Sequence, residues 1–170
     1  MSSELITINR VRTCEGLEML LALVPPNIPS IGIGLIEEQI IGKLLDTRLG
    51  ADGSPNLIPE NFSRNATFVE FMHGVINHYG FRCPGMLERA KNNRPIGIVD
   101  LRCPENETPT AEDIVGVFYV ENGAISSYKP NPKHRVFSSR GFFRLPPPFD
   151  SAFLHELALL INDNGQNHDA

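Results

Sequence analysis

Few residues of this chain have the types and spacing that chemistry requires. Cys103, His134 and Asp100 are the thiol, imidazole and carboxylate of a candidate nucleophilic site. In such a site a thiolate attacks, a base or positive field lowers its pKa, and a carboxylate orients the imidazole. Cys103 ends a predicted strand and His134 follows a predicted hairpin, so a fold can bring them together, with Arg102 and Arg135 supplying positive field. No motif joins the three, and a lone cysteine at a strand end is more often a small core hydrophobe. Glu70-x-x-His73 places a carboxylate and an imidazole on one helix face, half of a di-iron pattern whose second Glu-x-x-His is missing. Gly32-Ile-Gly34 carries Glu37 where a phosphate loop needs its third glycine, and a carboxylate there repels phosphate. No Gly-x-Ser-x-Gly and no His-Glu-x-x-His occurs. The expectation is therefore no catalytic residue beyond those three candidates, no metal and no cofactor.

Charge is distributed more tellingly than the motifs. From Asn122 to Phe149 there is no acid, and Lys129, Lys133, Arg135, Arg140 and Arg144 are basic. The whole chain has 15 bases and 20 acids, so a strip of +5 sits on a remainder of −10. Tyr128, Phe137, Phe142, Phe143 and Phe149 interleave with these bases, and His134 lies among them. Bases that neutralise phosphates and aromatics that stack on nucleobases hold single-stranded nucleic acid. An acidic patch on a partner protein fits the strip equally well. The competing intramolecular reading carries more weight: Phe142 and Phe143 enter the core, and the arginines pair with Glu105, Glu107, Glu112 and Asp113 just upstream.

The elements that must position these residues follow from periodicity. Glu4 to Arg12 alternates as a short edge strand. Leu17, Leu20, Leu21 and Val24 repeat at helical spacing after Thr13, and Pro25-Pro26 ends that run. Ile36, Ile40, Ile41, Leu44, Leu45 and Arg48 follow a 3.6-residue period, predicting a helix over 34–49 closed by Gly50, with a loop over 51–64. Asn65 caps a helix reaching Tyr79 with Phe68, Met72, Val75, Ile76 and Tyr79 on its stripe, and a short helix spans Pro84 to Lys91. A strand runs from Pro95 to Cys103. Asn122-Gly123 joins two strand-like runs, 114–121 and 124–129, into a hairpin. The two-residue turn sets Val120 opposite Ile125, Phe118 opposite Ser127 and Val117 opposite Tyr128. The first run is apolar on both faces and belongs at the centre of its sheet. Phe142 to Leu145 adds a short strand, and Asp150 to Asn162 a closing helix.

The fold class expected is α+β: a mostly helical N-terminal half, an antiparallel hairpin or meander sheet in the C-terminal half, and a closing C-terminal helix. One domain spans 1–162, with a polar tail at 163–170. Three cysteines form no closed disulfide set and no zinc pattern, and no basic-then-apolar leader opens the chain. No run reaches the roughly 18 apolar residues of a membrane span. These features predict a soluble cytoplasmic protein without membrane contact. The leading functional expectation is a non-enzymatic binding or regulatory domain that contacts a protein or single-stranded nucleic acid through Tyr128, Lys129, Lys133, His134, Arg135, Phe137, Arg140 and Arg144. The alternative is a small enzyme or ligand-binding domain with a pocket between sheet and helices, using Cys103, His134, Asp100 and Tyr128. Homo-oligomerisation through the N-terminal strand or the C-terminal helix is a third.

Overall fold

The structure, a computed structural model, describes residues 5–28 and 34–166. It is α+β with antiparallel sheets, and the strands come first. The elements are β1 (Ile6–Thr13), β2 (Gly16–Leu23), β3 (Ile40–Leu44), β4 (Phe62–Arg64), α1 (Ala66–Gly80), α2 (Pro84–Ala90), β5 (Ile96–Val99), β6 (Ile114–Glu121), β7 (Ala124–Pro130), β8 (Phe137–Ser138), β9 (Gly141–Phe142) and α3 (Pro147–Gln166). One sheet has the order β1-β2-β3-β4, a second β5-β6-β7, and β8-β9 is a short ribbon. By contact density the chain divides into two compact units. Of the described residues, one holds Met72–Val136 and Arg140–Phe153; the other holds 5–28, 34–71, Phe137–Ser139 and 154–166.

The expected helical N-terminal half is not there. The run read as a helix over Cys14–Val24 is β2, paired along its whole length with β1 across the Cys14-Glu15 turn. Its sequence, GLEMLLAL, is nearly unbroken apolar, and such a run suits a buried strand as well as a buried helix. As a strand it buries Met19, Leu21 and Leu23 on one face and Ala22 on the other. Thr13, expected as a helix cap, instead closes the turn, its hydroxyl donating to the Gly16 carbonyl and accepting from the Glu15 amide. The helix expected over 34–49 is a single 3-10 turn, Glu37–Gln39, followed by β3. Ile40, Ile41 and Gly42 disfavour a helix, and β3 gains partners on both sides, β2 and β4, that a helix would forgo. Gly50 closes no helix; it exchanges hydrogen bonds within the loop that follows.

That loop is held by one buried amide. Asn61 accepts from the Asp46 amide at 2.6 Å and donates to the carbonyls of Asp46 and Asn56. Asn65 caps α1 as expected, its side-chain oxygen accepting from the Thr67 amide while its nitrogen donates to the carbonyls of Glu37 and Ile40. Phe68, Met72 and Ile76 form the buried stripe of α1.

In the other unit, β6 is the central strand of its sheet, with Val115 and Phe118 fully buried. Asn122 and Gly123 both have positive φ, 53° and 75°, which a two-residue turn of this hand requires. Val120 faces Ile125 as the turn dictates, but a bulge follows. Ser126 is the extra residue, its hydroxyl donating to the Tyr119 carbonyl, so Phe118 faces Tyr128 and Val117 faces Lys129. The slip lays the Tyr128 ring on Phe118, with centroids 4.6 Å apart, and over Gly116, where a Cβ would overlap the phenol. The short strand expected over Phe142–Leu145 is β9, which ends at Phe142. α3 runs to Gln166, past the expected start of the tail at Asp163, and buries Phe149, Phe153, Leu157 and Ile161. Residues 167–170 lie outside the described residues, as do Gly32 and Ile33.

Candidate functional site

Asp100 follows the last residue of β5 and is fully buried. A buried carboxylate stays ionised only with charge and hydrogen bonds around it. Asp100 has both. Arg102 forks onto it, Nη2 at 2.8 Å from Oδ2 and Nε at 3.1 Å from Oδ1, and the Arg102 amide donates to Oδ1 at 3.0 Å. His134 Nε2 lies 2.9 Å from Oδ2, and the Arg144 amide donates to Oδ1 at 3.0 Å. An ionised carboxylate only accepts, so the His134 proton sits on Nε2. Burial pushes the Asp100 pKa up, but the His134 and Arg102 hydrogen bonds and the Arg102 charge outweigh it, and the carboxyl stays below the usual aspartate value.

Arg102 and Asp100 extend this cluster along the loops. Arg102 Nη1 donates to the Gly141 carbonyl at 2.7 Å and Nη2 to the Arg135 carbonyl. The backbone of Asp100 and Leu101 bonds to Asp113 and Arg144. Asn131 adds a second peg, its side chain donating to the carbonyls of Ala111 and Ile114 and accepting from the Lys133 amide. Between them, Asp100 and Asn131 fix the course of 131–136 and 140–144, which has almost no regular structure of its own. Asn131 carried no signal that distinguishes it in the sequence from other loop asparagines. Arg102 was legible as a charge near Asp100, but its bidentate grip was not.

The sequence candidates fall out as follows. Asp100 and His134 meet, both buried. Cys103 is buried too, its thiol pointing at the carbonyls of Pro104 (3.7 Å) and Glu107 (4.0 Å). Burial and the Asp113 charge push its pKa up, away from the thiolate that nucleophilic attack requires. Arg135 pairs with Glu112 at 3.4 Å, and Arg140 with Glu107 at 3.0 Å and Asp113 at 3.7 Å. Lys129, Lys133 and Arg144 are exposed, and no salt bridge engages them among the described residues. Lys129 Nζ stands 5.3 Å over the exposed Tyr119 ring.

The aromatics of the strip are committed elsewhere. Phe143 and Phe149 are core. Phe137 belongs to the unit containing β1–β4, where it meets Phe62 edge-on. Tyr128 is half-buried, its hydroxyl 2.8 Å from His73 Nδ1, and burial raises its pKa. His73, which the sequence offered as half of a metal site, is thus the partner of a phenol. No group of three or more metal-ligating side chains occurs among the described residues, and no helix there is long and apolar enough to cross a membrane. Comparison of the chain with protein-family models, with curated proteins and with solved structures finds no match to any of them.

Proposed function

We propose that this chain is a non-enzymatic binding domain that contacts an acidic segment of a partner protein through the exposed bases of the 129–144 segment. Lys129, Lys133 and Arg144 supply charge that no salt bridge offsets among the described residues, with the paired Arg135 and Arg140 beside them in sequence. The observation that carries the reading is the split within the strip. Three cations are left for a partner, while four of the rings that would stack on nucleobases are held within the protein: Phe143 and Phe149 are buried, Tyr128 bonds to His73 and Phe137 packs on Phe62. Single-strand recognition needs both, and an acidic peptide needs only the first. The buried, acceptor-saturated Asp100 and the raised Cys103 thiol speak against the enzymatic alternative.

The test is a titration of labelled hexaglutamate and of a labelled single-stranded oligonucleotide at two salt concentrations. The peptide is expected to bind with an affinity that falls as salt rises, since exposed charges are screened beyond about 10 Å at 0.1 M. Replacing Lys129, Lys133 and Arg144 together by alanine is expected to abolish that binding. Absence of salt-sensitive peptide binding, or oligonucleotide binding tighter than that of the peptide, overturns the proposal.

A further inference from the structure

A second surface, independent of the 129–144 segment, lies on β1. This strand ends its sheet and is hydrogen-bonded only to β2 among the described residues. In an antiparallel pair, inward and outward backbone groups alternate. The two-residue turn makes Thr13 and Gly16 a hydrogen-bonded pair, and at the far end the Val24 amide donates to the Leu5 carbonyl. The odd-numbered residues of β1 therefore turn their N–H and C=O toward β2. Ile6, Ile8, Arg10 and Arg12 turn theirs outward along an edge with no strand partner among the described residues.

The side chains of these same residues lie on the face of β2 that buries Met19 and Leu21, their cross-strand neighbours. Ile6 is half-buried, but the core does not extend over Ile8, Arg10 or Arg12. Ile8 is 40% exposed and Leu17, opposite Arg12, is 47% exposed, while Arg10 and Arg12 are exposed and make no ion pair among the described residues. An eight-residue edge with free donors and acceptors is a template for another strand, and natural sheets ordinarily shorten, bulge or cover such an edge. β1 pairs with β2 without a break in register.

We propose that the outer edge of β1 takes up an extended acidic strand of a partner protein, with carboxylates opposite Arg10 and Arg12 and an apolar side chain against Ile8. Main-chain hydrogen bonds supply affinity in strand addition and alternate side chains supply choice. Charge decides the occupant here. The two guanidiniums are the only charges on β1, and opposite charges across a strand pair stabilise while like charges destabilise. A second copy of β1 would bring four guanidiniums to one edge; an acidic strand neutralises two.

Amide hydrogen exchange on the full chain tests this, with a capped peptide of alternating glutamate and valine as the probe. In the free protein the Thr7, Asn9 and Val11 amides are expected to exchange slowly, and those of Ile8, Arg10 and Arg12 fast. The peptide is expected to slow the outward set by about tenfold or more. Charge reversal, Arg10→Glu with Arg12→Glu, is expected to weaken the glutamate–valine peptide about tenfold and to transfer preference to a lysine–valine peptide. Both substitutions are on exposed side chains, and an unchanged melting curve confirms that the variant is folded. Outward amides already slow in a free protein of dimeric mass would assign the edge to a second copy and overturn the proposal. Unchanged exchange with peptide, or equal binding of both peptides by both proteins, also overturns it.

Discussion

Asp100→Asn is the substitution that most directly tests the physical account of the buried cluster. The side chain keeps its shape and loses its charge. Asp100 accepts five hydrogen bonds, three of them from the charged Arg102 fork and from His134, in a site with no exposure. An asparagine there turns a donor NH2 toward groups that are themselves donors and leaves the Arg102 guanidinium, only 4% exposed, without its counter-charge. Breaking a buried pair by removing one partner costs about 3–5 kcal/mol. At about 2–4 °C per kcal/mol for a chain of this size, the melting temperature falls by about 6–20 °C. Urea titration should show a lower midpoint with an unchanged slope. Acid supplies a second readout. The folded pKa of Asp100 lies below its unfolded value of about 3.9. The unfolded chain therefore takes up the proton first as pH falls, and the stabilisation is complete above that value and lost on descent through the folded pKa. The gap between native protein and variant should accordingly narrow as pH falls below about 4. A cost under about 1 kcal/mol, or a gap that does not change with acid, refutes the reasoning. Asp46→Asn is the control: its pKa is drawn down to about 2 by hydrogen bonds from Arg48, but the pair is exposed, and no change in midpoint is expected.

Three further outcomes follow from the packing. Of the three cysteines, Cys14 is exposed while Cys83 and Cys103 are buried, so a thiol reagent should label one site quickly at neutral pH and the others only on unfolding; fast native labelling of Cys103 would revive the nucleophile reading. Gly116→Ala forces a Cβ onto the Tyr128 ring and hydroxyl and should cost about 1–3 kcal/mol by urea titration; a neutral effect would mean that the ring does not lie over the strand. Asn61→Ala removes the amide that bonds to Asp46 and Asn56, and limited proteolysis should then cut within residues 46–58 at least several-fold faster, with an unchanged rate counting against that anchor.

Legibility in the sequence followed the range of the interactions. The Asn122-Gly123 turn is a two-residue event with a steric cause, so the hairpin and its first pairs were readable. The bulge at Ser126 was not, because it depends on how Tyr128 seats against Phe118 and Gly116. α1 was readable from its cap and stripe. β2 and β3 were misread because Leu17, Leu20 and Leu21, or Ile36, Ile40 and Ile41, fit a helical period as well as a strand, and only pairing with neighbours decides between them. At the candidate site, the meeting of Asp100 with His134 was visible as chemistry in want of geometry. The pairing of Arg135 and Arg140 with Glu112 and Glu107 was visible as charge balance across one loop. The Arg144 amide on Asp100 was invisible, since any residue but proline offers the same donor.

The 129–144 segment draws its shape and its charge from different residues. A stretch with four strand residues after Pro130, a second proline at 132 and three more just beyond it at 146–148 cannot order itself by ladder hydrogen bonds. Asp100 supplies the order instead, accepting from His134 and Arg144 while Arg102 holds the carbonyls of Arg135 and Gly141. Each partner sits beside an exposed base or is one: His134 follows Lys133, and Arg144 lends its amide while its side chain faces solvent. The buried charges therefore have a structural use that an apolar cluster of equal volume would lack. Directional bonds from one carboxylate fix several separate backbone positions at once, which apolar contact, being non-directional, cannot do. Loss of Asp100 should for that reason weaken hexaglutamate binding at a temperature where the variant is still folded, although Asp100 itself is buried and carries the wrong charge to attract the peptide. Unaltered binding by a folded Asp100→Asn variant would separate the clasp from the surface and leave it a matter of stability alone.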